Sequence, residues 1–464
     1  MKQKVKILFS LAVTALLIVG GLTSCNQSLT KKEKKEPTQL KMKHADWTKN
    51  SNIYEVNIRQ YTPEGTINAF RKHLPRLKDM GVDILWLMPV QPIGVKNRKG
   101  SLGSYYSVRD YKTVNPEFGT MDDLKALVSE AHQMGMHVIL DWVANHSSWD
   151  NVWAKEHPEY YEKNGDGSFH SPYDWTDVIE FNYDNPAMRD SMIRALEFWV
   201  KETDVDGYRC DVAGMVPTDF WNDARNRLEK LKLVFMLAED EDNVGLVEYA
   251  FDMNYTWKMM HLMNDIAKGN KKVSAIWDNL DWSKQTFPSY TYRMYFTSNH
   301  DENSWNGTTK ERLGNGAQAF AVLTYVVPGM PLIYSGQEAG NTKRLRFFEK
   351  DTIDWSNVAL GGFYKTLNEL KKNNNALWNG TAGGEIIEIG RGKNDNVFAC
   401  ERRKADNKIL AIINLSAEKQ LFLIDSDEFI GDYTDVFRNE KVTIDVGHQF
   451  NLKPWEYIVL KNTD

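Results

Sequence analysis

Four short stretches of this chain carry carboxylates, three of them beside histidine, arginine or asparagine. Asp141 is followed by Asn145 and His146. Arg209 stands two residues before Asp211. Glu239 is followed by Asp240, and Asn299, His300 and Asp301 are consecutive. Each stretch closes an apolar, strand-like run. Residues two apart in a strand face the same side, so Arg209 and Asp211 point together. A single Asp after a strand is an ordinary turn residue or helix cap, and a single His is an ordinary satisfied polar group. Recurrence at four strand ends argues for chemistry. Carboxylates converging on one mouth suit cleavage of a glycosidic bond. The acetal needs a proton on its leaving oxygen, and the oxocarbenium-like transition state needs negative charge nearby. One carboxyl must keep its proton while another stays ionised. Arg209 is expected to keep Asp211 ionised by lowering its pKa.

The elements that must position these groups follow an alternating pattern. Ile53–Ile58 reads as a first strand, and 66–80 as a helix with Ile67, Phe70, Leu74 and Leu77 on one face. Asp83–Met88 is a buried strand halted by Pro89. Thr120 caps a helix with Asp123 three residues on. Further strands are expected at 137–141, 205–212, 233–238, 250–253 (a weak one), 292–297 and 330–335. Helices are expected from 185, with Pro186 at its first position, and at 217–230, 315–326 and 362–374. The stretch from about 146 to 184 breaks the alternation. It is rich in Trp, Tyr, Gly, Pro and Asp, and reads as an excursion with little regular structure. Eight strands alternating with helices predict a closed (β/α)8 barrel. An open doubly wound sheet is the alternative, but no Gly-rich phosphate loop follows strand 1. From about residue 380 short alternating strands predict an antiparallel β-domain.

The motifs resemble those of the α-amylase family of retaining glycoside hydrolases. Asp141…Asn145-His146, Gly207-x-Arg209-x-Asp211, Glu239 and Asn299-His300-Asp301 stand in the family's order and spacing. Gly81…Trp86…Pro89 and Gly329-Met330-Pro331…Tyr334-x-Gly336 agree with it as well. The resemblance covers roughly residues 50–375. It implies Asp211 as nucleophile, Glu239 as acid and then base, and Asp301 as the group holding the 2- and 3-hydroxyls of the distorted sugar. It implies that His146 and His300 bond the same sugar, that Arg209 orients Asp211, and that Tyr106 stacks on the ring. The excursion would be the family's inserted B domain, placed after strand 3, and the C-terminal part a β-sandwich. Many members bind calcium. Asn145 and Glu180 occupy the matching positions, but Gly214 and Met215 replace the usual Lys and His, and a thioether is a poor calcium ligand. Tyr61-Thr62-Pro63-Glu64-Gly65 stands where an acidic calcium loop is common. Asp211-Val212-Ala213 is more similar to the neopullulanase and cyclomaltodextrinase branch. The expected substrate is starch or a malto-oligosaccharide. An α-1,6-active glucosidase and a transglycosylase stay open as readings of the same site. A non-catalytic glucan-binding accessory protein is disfavoured, because no catalytic carboxylate is lost.

Length and composition agree with such an enzyme. The chain has 464 residues, 42% hydrophobic and 26% charged, with a net charge of −6. This excludes disordered, collagen-like and disulfide-stapled classes. A balance of 57 basic to 63 acidic residues offers no handle for nucleic acid. Aromatic residues make up 12%, enough both to pack a core and to line a sugar site. Lys2, Lys4 and Lys6 precede an uncharged stretch from Ile7 to Leu22, which matches a signal h-region and is short for a spanning helix. It ends in Leu22-Thr23-Ser24-Cys25, which resembles a bacterial lipoprotein box. Residues 1–24 would then be a signal peptide, Cys25 the lipidated residue, and 25–49 a charged flexible tether to a membrane, the outer membrane being expected. The barrel would span 50–378 and the β-domain 379–464. Cys210 and Cys400 are expected to be reduced and buried.

Overall fold

A computed structural model describes residues 42–390 and 393–463. The first ten strands are β1 (Ile53–Val56), β2 (Ile84–Leu87), β3 (His137–Val143), β4 (His146–Ser148), β5 (Val178–Glu180), β6 (Gly207–Asp211), β7 (Phe235–Ala238), β8 (Met253–Tyr255), β9 (Tyr292–Phe296) and β10 (Met330–Tyr334). Eight of them close a parallel barrel in the order β1-β2-β3-β6-β7-β8-β9-β10. Closure is made by β10 against β1, with Ile53 opposite Leu332. Helices cover the outer face of each strand and the barrel's own interior covers the inner face, so the strands read as continuous apolar runs. Polar exceptions inside those runs include Glu55, Asp141, Arg209, Asp211, Asn254 and Arg293, all buried.

The helix Met121–Gln133 begins where the capping box requires. Thr120 accepts from the Asp123 amide, and the Asp123 carboxylate accepts from the Thr120 amide. The helix Pro186–Thr203 starts behind Asn185, whose side chain accepts from the amides of Ala187 and Met188. Two expectations are corrected. The helix expected over 66–80 is two helices, Ile67–Arg71 and Leu74–Asp79. Pro75 has no amide hydrogen, and its ring would strike the Arg71 carbonyl in an unbroken helix. Residues 44–49, placed in the expected tether, are ordered against the barrel. Asp46–Asn50 form a helical turn, Trp47 stacks on His137 at 3.8 Å, and His44 Nδ1 bonds Asp252 at 2.7 Å. Cys25 and the leader lie outside the described residues.

The excursion after β3 has more order than its composition implies. β4 and β5 pair antiparallel, with His146 opposite Glu180. Trp153 stacks on Tyr111 at 4.9 Å, and Tyr161 on Phe181 at 4.7 Å. Much of the aromatic content of this insert is therefore packing.

The C-terminal part holds β11 (Glu385–Glu388), β12 (Val397–Lys404), β13 (Asn407–Asn414), β14 (Gln420–Ile424), β15 (Gly431–Asp435), β16 (Lys441–Ile444), β17 (His448–Leu452) and β18 (Tyr457–Asn462). Six of these form one antiparallel sheet, β11-β12-β13-β18-β15-β16, and β14 pairs with β17 as a second, two-stranded layer. The period of two is legible in β12. Val397 and Ala399 join Phe422 and Phe450 between the layers, while Phe398 and Cys400 join the barrel's Trp277 and Phe320. Cys210 and Cys400 are free and buried, as expected. Among the described residues no helix is long and apolar enough to cross a membrane.

Candidate active site

The carboxyl ends of β3, β6, β7 and β9 bring the sequence motifs to one point. Arg209 lies at its centre with no exposed surface. Its Nη1 donates to Asp141 Oδ1 at 2.9 Å and to Asp211 Oδ1 at 3.1 Å. Its Nη2 lies 2.7 Å from Glu239 Oε2, and its Nε donates to the Tyr255 hydroxyl at 3.2 Å. One guanidinium thus holds carboxylates from three strands. A lysine has no fork to do this.

A second chain of contacts fixes the other wall. His300 Nδ1 donates to Glu55 Oε1 at 2.5 Å, and its Nε2 lies 2.8 Å from the Tyr106 hydroxyl. That hydroxyl donates to Asp141 Oδ2 at 2.9 Å, which also accepts from Trp86 Nε1 at 3.1 Å. The Tyr106 ring stacks on His300, with centroids 5.3 Å apart. His300 Nε2 also lies 3.4 Å from Asp301. Across the site, His146 Nε2 is 4.0 Å from Asp211 Oδ2.

Electrostatics separate the two histidines. Burial would make His300 neutral, but Asp301 and Glu55 outweigh it and raise its pKa to about 9. It is an imidazolium at neutral pH. For His146 burial prevails, and its pKa falls to about 3, so it stays neutral. Burial raises Asp211 well above the usual carboxylate range, and the neighbouring Glu239 raises it further. Burial raises Glu239 as well, against the pull of Arg209. Arg209 therefore does not by itself keep Asp211 low, as the sequence led us to expect. Burial thus moves both carboxyls toward their protonated forms, while Arg209 pulls each of them the other way.

The backbone contributes too. Val212, directly after Asp211, has φ 37° and ψ 48°. A β-branched residue rarely takes that conformation. Its amide donates to Glu239 Oε2 at 2.8 Å. The strained turn thus links the ends of β6 and β7.

Tyr106, His146, Asp211, Glu239 and Asp301 border one cavity of about 420 Å³. All seven expected catalytic and sugar-binding residues meet here, with Arg209 and His300 just beneath. Of the insert's aromatics, Trp175 lines the cavity and Tyr173 packs on it at 5.2 Å. Several contributors escaped the sequence reading. Lys99, Asp174, Asp177, Phe347 and Phe348 come from loops with no periodic signal, and Trp305 from the short helical turn Glu302–Asn306. Glu55 was detectable in principle, as a lone carboxylate inside the buried run Ile53–Val56.

The expected calcium positions fit the ion poorly. Asn145 and Glu180 are neighbours, and a hydrogen bond from Asn145 acts on the Glu180 carboxyl. His170 lies 3.5 Å from that carboxyl on its other side. Calcium takes six to eight oxygens, and Gly214 and Met215 bring no side-chain oxygen. The loop 164–168 satisfies itself as a turn, with Ser168 bonded to Asp166 and the Gly167 amide to the Asn164 carbonyl.

A (β/α)8 barrel whose strand ends gather acidic groups around one arginine and one imidazolium has the equipment of a glycoside hydrolase. Residues 39–178 and 161–379 match the family described as alpha amylase, catalytic domain, and the chain belongs to the α-amylase family. It is similar to the crystal structure of a noncanonic maltogenic α-amylase from Thermotoga neapolitana. The identity is 30% and the TM-score 0.83, covering 90% of this chain and 99% of that one. An α-amylase from Lactobacillus plantarum gives 30% identity and a TM-score of 0.81, covering 90% of this chain and 100% of that one. An α-amylase of Haloarcula japonica is 26% identical over 80% of this chain, which spans only 56% of that relative's length.

Proposed function

We propose that the chain is a retaining α-glucan hydrolase that cuts α-1,4-glucosidic bonds of starch or maltodextrins by double displacement. The observation that carries this is the Arg209 fork, which brings Asp211 and Glu239 onto one guanidinium at 3.1 and 2.7 Å, with burial raising the pKa of both carboxyls. One proton on the pair is what the first step needs. Glu239 gives it to the leaving oxygen while the Asp211 carboxylate attacks the anomeric carbon, forming a glycosyl-enzyme. Glu239, now ionised, takes a proton from water, and that water displaces Asp211. Asp301 and the His300 imidazolium hold the sugar's hydroxyls, and the neutral His146 donates or accepts beside Asp211. The maltogenic relative supports maltodextrins as substrates. The test is reducing-end release from soluble starch, maltoheptaose and pullulan. No release by folded protein would defeat the proposal. Release from pullulan alone would shift it to α-1,6 bonds, and longer oligosaccharides among the products would make it a transglycosylase.

We also propose that Cys25 carries a lipid that tethers the enzyme to a bacterial membrane, the outer membrane in a two-membrane cell. The lysine-flanked apolar stretch and the Leu22–Cys25 box support this. Labelling with an alkyne fatty acid in the native host should mark the protein, and Cys25→Ala should abolish the label.

A further inference from the structure

The cavity has two walls. Tyr106, stacked on His300 and parallel to Phe347 at 6.3 Å, belongs to one. His146 and Trp175, 5.4 Å apart, belong to the other, which the insert supplies. A loop over residues 94–104 joins them. Its Leu102 amide donates to the Phe348 carbonyl at 3.1 Å, and its Ser101 amide to Glu349 at 2.8 Å. Arg59 clamps its far end through the Leu102 and Gly103 carbonyls. Gly100 has φ +63°, and a Cβ there would stand 2.5 Å from Phe348 Cβ, so this close approach requires glycine. From the same loop Lys99 Nζ reaches Asp177 Oδ1 at 3.0 Å in the insert, and both side chains border the cavity. The pair is partly sheltered, with side-chain exposures of 35% and 7%.

The direction of this closure follows from the chemistry. Glu239 protonates the leaving oxygen, so the departing chain lies on its side, beside Val212. The strap is anchored on Phe348, Glu349 and Arg59 and runs directly into Tyr105 and Tyr106, so it belongs to the wall where Tyr106 stacks on His300. It therefore faces the part of the substrate that stays on the enzyme.

We propose that the Lys99–Asp177 ion pair, tying the 94–104 loop to the insert, closes the glycone end of the cleft and makes the enzyme cut short units from the non-reducing ends of its chains. This rests on the α-glucan reading above. A long chain entering through its interior would need the closed end open. The substrate class is thus a malto-oligosaccharide or starch branch with a free non-reducing terminus.

The experiment compares maltoheptaose with maltoheptaose blocked at its non-reducing end, following bond cleavage by product chromatography. The wild-type enzyme should prefer the unblocked substrate by at least ~10-fold. Lys99→Met and Asp177→Asn should each narrow that ratio and lengthen the released products. The exchange Lys99→Asp with Asp177→Lys should restore it. A wild-type ratio near one would overturn the proposal. So would an unchanged ratio in both single variants, with circular dichroism confirming their fold. Wild-type inactivity on both substrates and on starch would instead defeat the hydrolase reading itself.

Discussion

Arg209 is fully buried, and its charge is met by Asp141, Asp211 and Glu239. Burial is the main reason that the nucleophile and the acid both rise in pKa, and the surrounding carboxylates raise them further against the pull of Arg209. Their roles separate by leaving group. Glu239→Gln removes the proton donor, so turnover of maltoheptaose should fall by about 10²–10⁴-fold. An activated glycosyl fluoride needs no proton and should keep most of its first-step rate. Asp211→Asn should abolish turnover of both. Equal losses in the two variants on the fluoride would overturn these assignments.

The imidazolium at His300 gives a pH signature of stability. Its folded pKa, about 9, exceeds the unfolded value. Its contribution is therefore fully present below about pH 6.5 and is lost as pH rises through 9. Thermal melts of the wild type should show this decline between those values. Glu55→Gln removes one of the charges that raise His300 and should move the decline to lower pH. An unchanged melting profile would show that Glu55 does not hold the proton there. At this scale the sequence displayed the groups on the strand ends, because each motif is contiguous and recurs at a strand's end. It did not display Lys99 or Phe347, and it offered Glu55 only as a lone carboxylate in an apolar run. Their contacts span long stretches of chain, and their local sequence carries no sign of the partner.

Elements of the barrel are held in register by close backbone approaches and by buried charge at its amino-terminal end. Gly207 opens β6, and a Cβ there would stand 1.8 Å from the Phe235 carbonyl oxygen of β7. Gly207→Ala must push the two strands apart at the base of the catalytic arginine. We expect a loss of at least ~1–3 kcal/mol in urea unfolding, with activity falling further than stability. A variant of wild-type stability would mean that the strands yield freely there.

At the same end Asp206 accepts from the Val138 amide at 2.8 Å and bonds His132 at 2.7 Å and Lys232 at 2.8 Å. Burial alone would raise its pKa, but these partners depress it strongly. A depressed carboxylate gives stability that is present above its unfolded pKa and is lost as pH falls. Asp206→Asn should cost about 3–5 kcal/mol at pH 7 and flatten the acid limb of the stability profile. An acid limb as steep as the wild type's would assign it to other carboxylates. The barrel elements were legible because eight apolar runs alternate with helical periods. The break at Pro75 and the ordered turn at Asp46–Asn50 were not. Proline was read through a helical face that it interrupts, and the turn's order comes from Trp47 lying on His137.

For the whole molecule, the question is whether the barrel can do without the C-terminal sheets. A linker-joined module would keep its own core. Here one cluster runs through both parts, with Phe398, Cys400, Ile409, Ala411 and Val459 of the sheet packed among Trp277, Phe320 and Leu323 of the barrel. Trp277 stacks on Phe398 at 4.9 Å, and Phe363 on Phe437 at 5.7 Å. Polar contacts follow the same line. Arg402, buried in the sheet, donates to the Val326 carbonyl at 2.9 Å, and burial lowers its pKa to about 10. Removing residues 379–464 would leave this apolar face and several barrel carbonyls uncovered. Contiguous exposed apolar surface of that kind favours aggregation. The barrel expressed without residues 379–464 should therefore bind a hydrophobic dye, aggregate on concentration, and melt at least ~10 °C below the full chain, given the few °C that each kcal/mol moves a domain of this size. The catalytic groups all lie at the far ends of the strands, so any fraction that stays folded should keep its preference among substrates while losing stability. A truncated barrel that stays monomeric and melts with the full chain would show that the shared cluster divides into two self-sufficient cores.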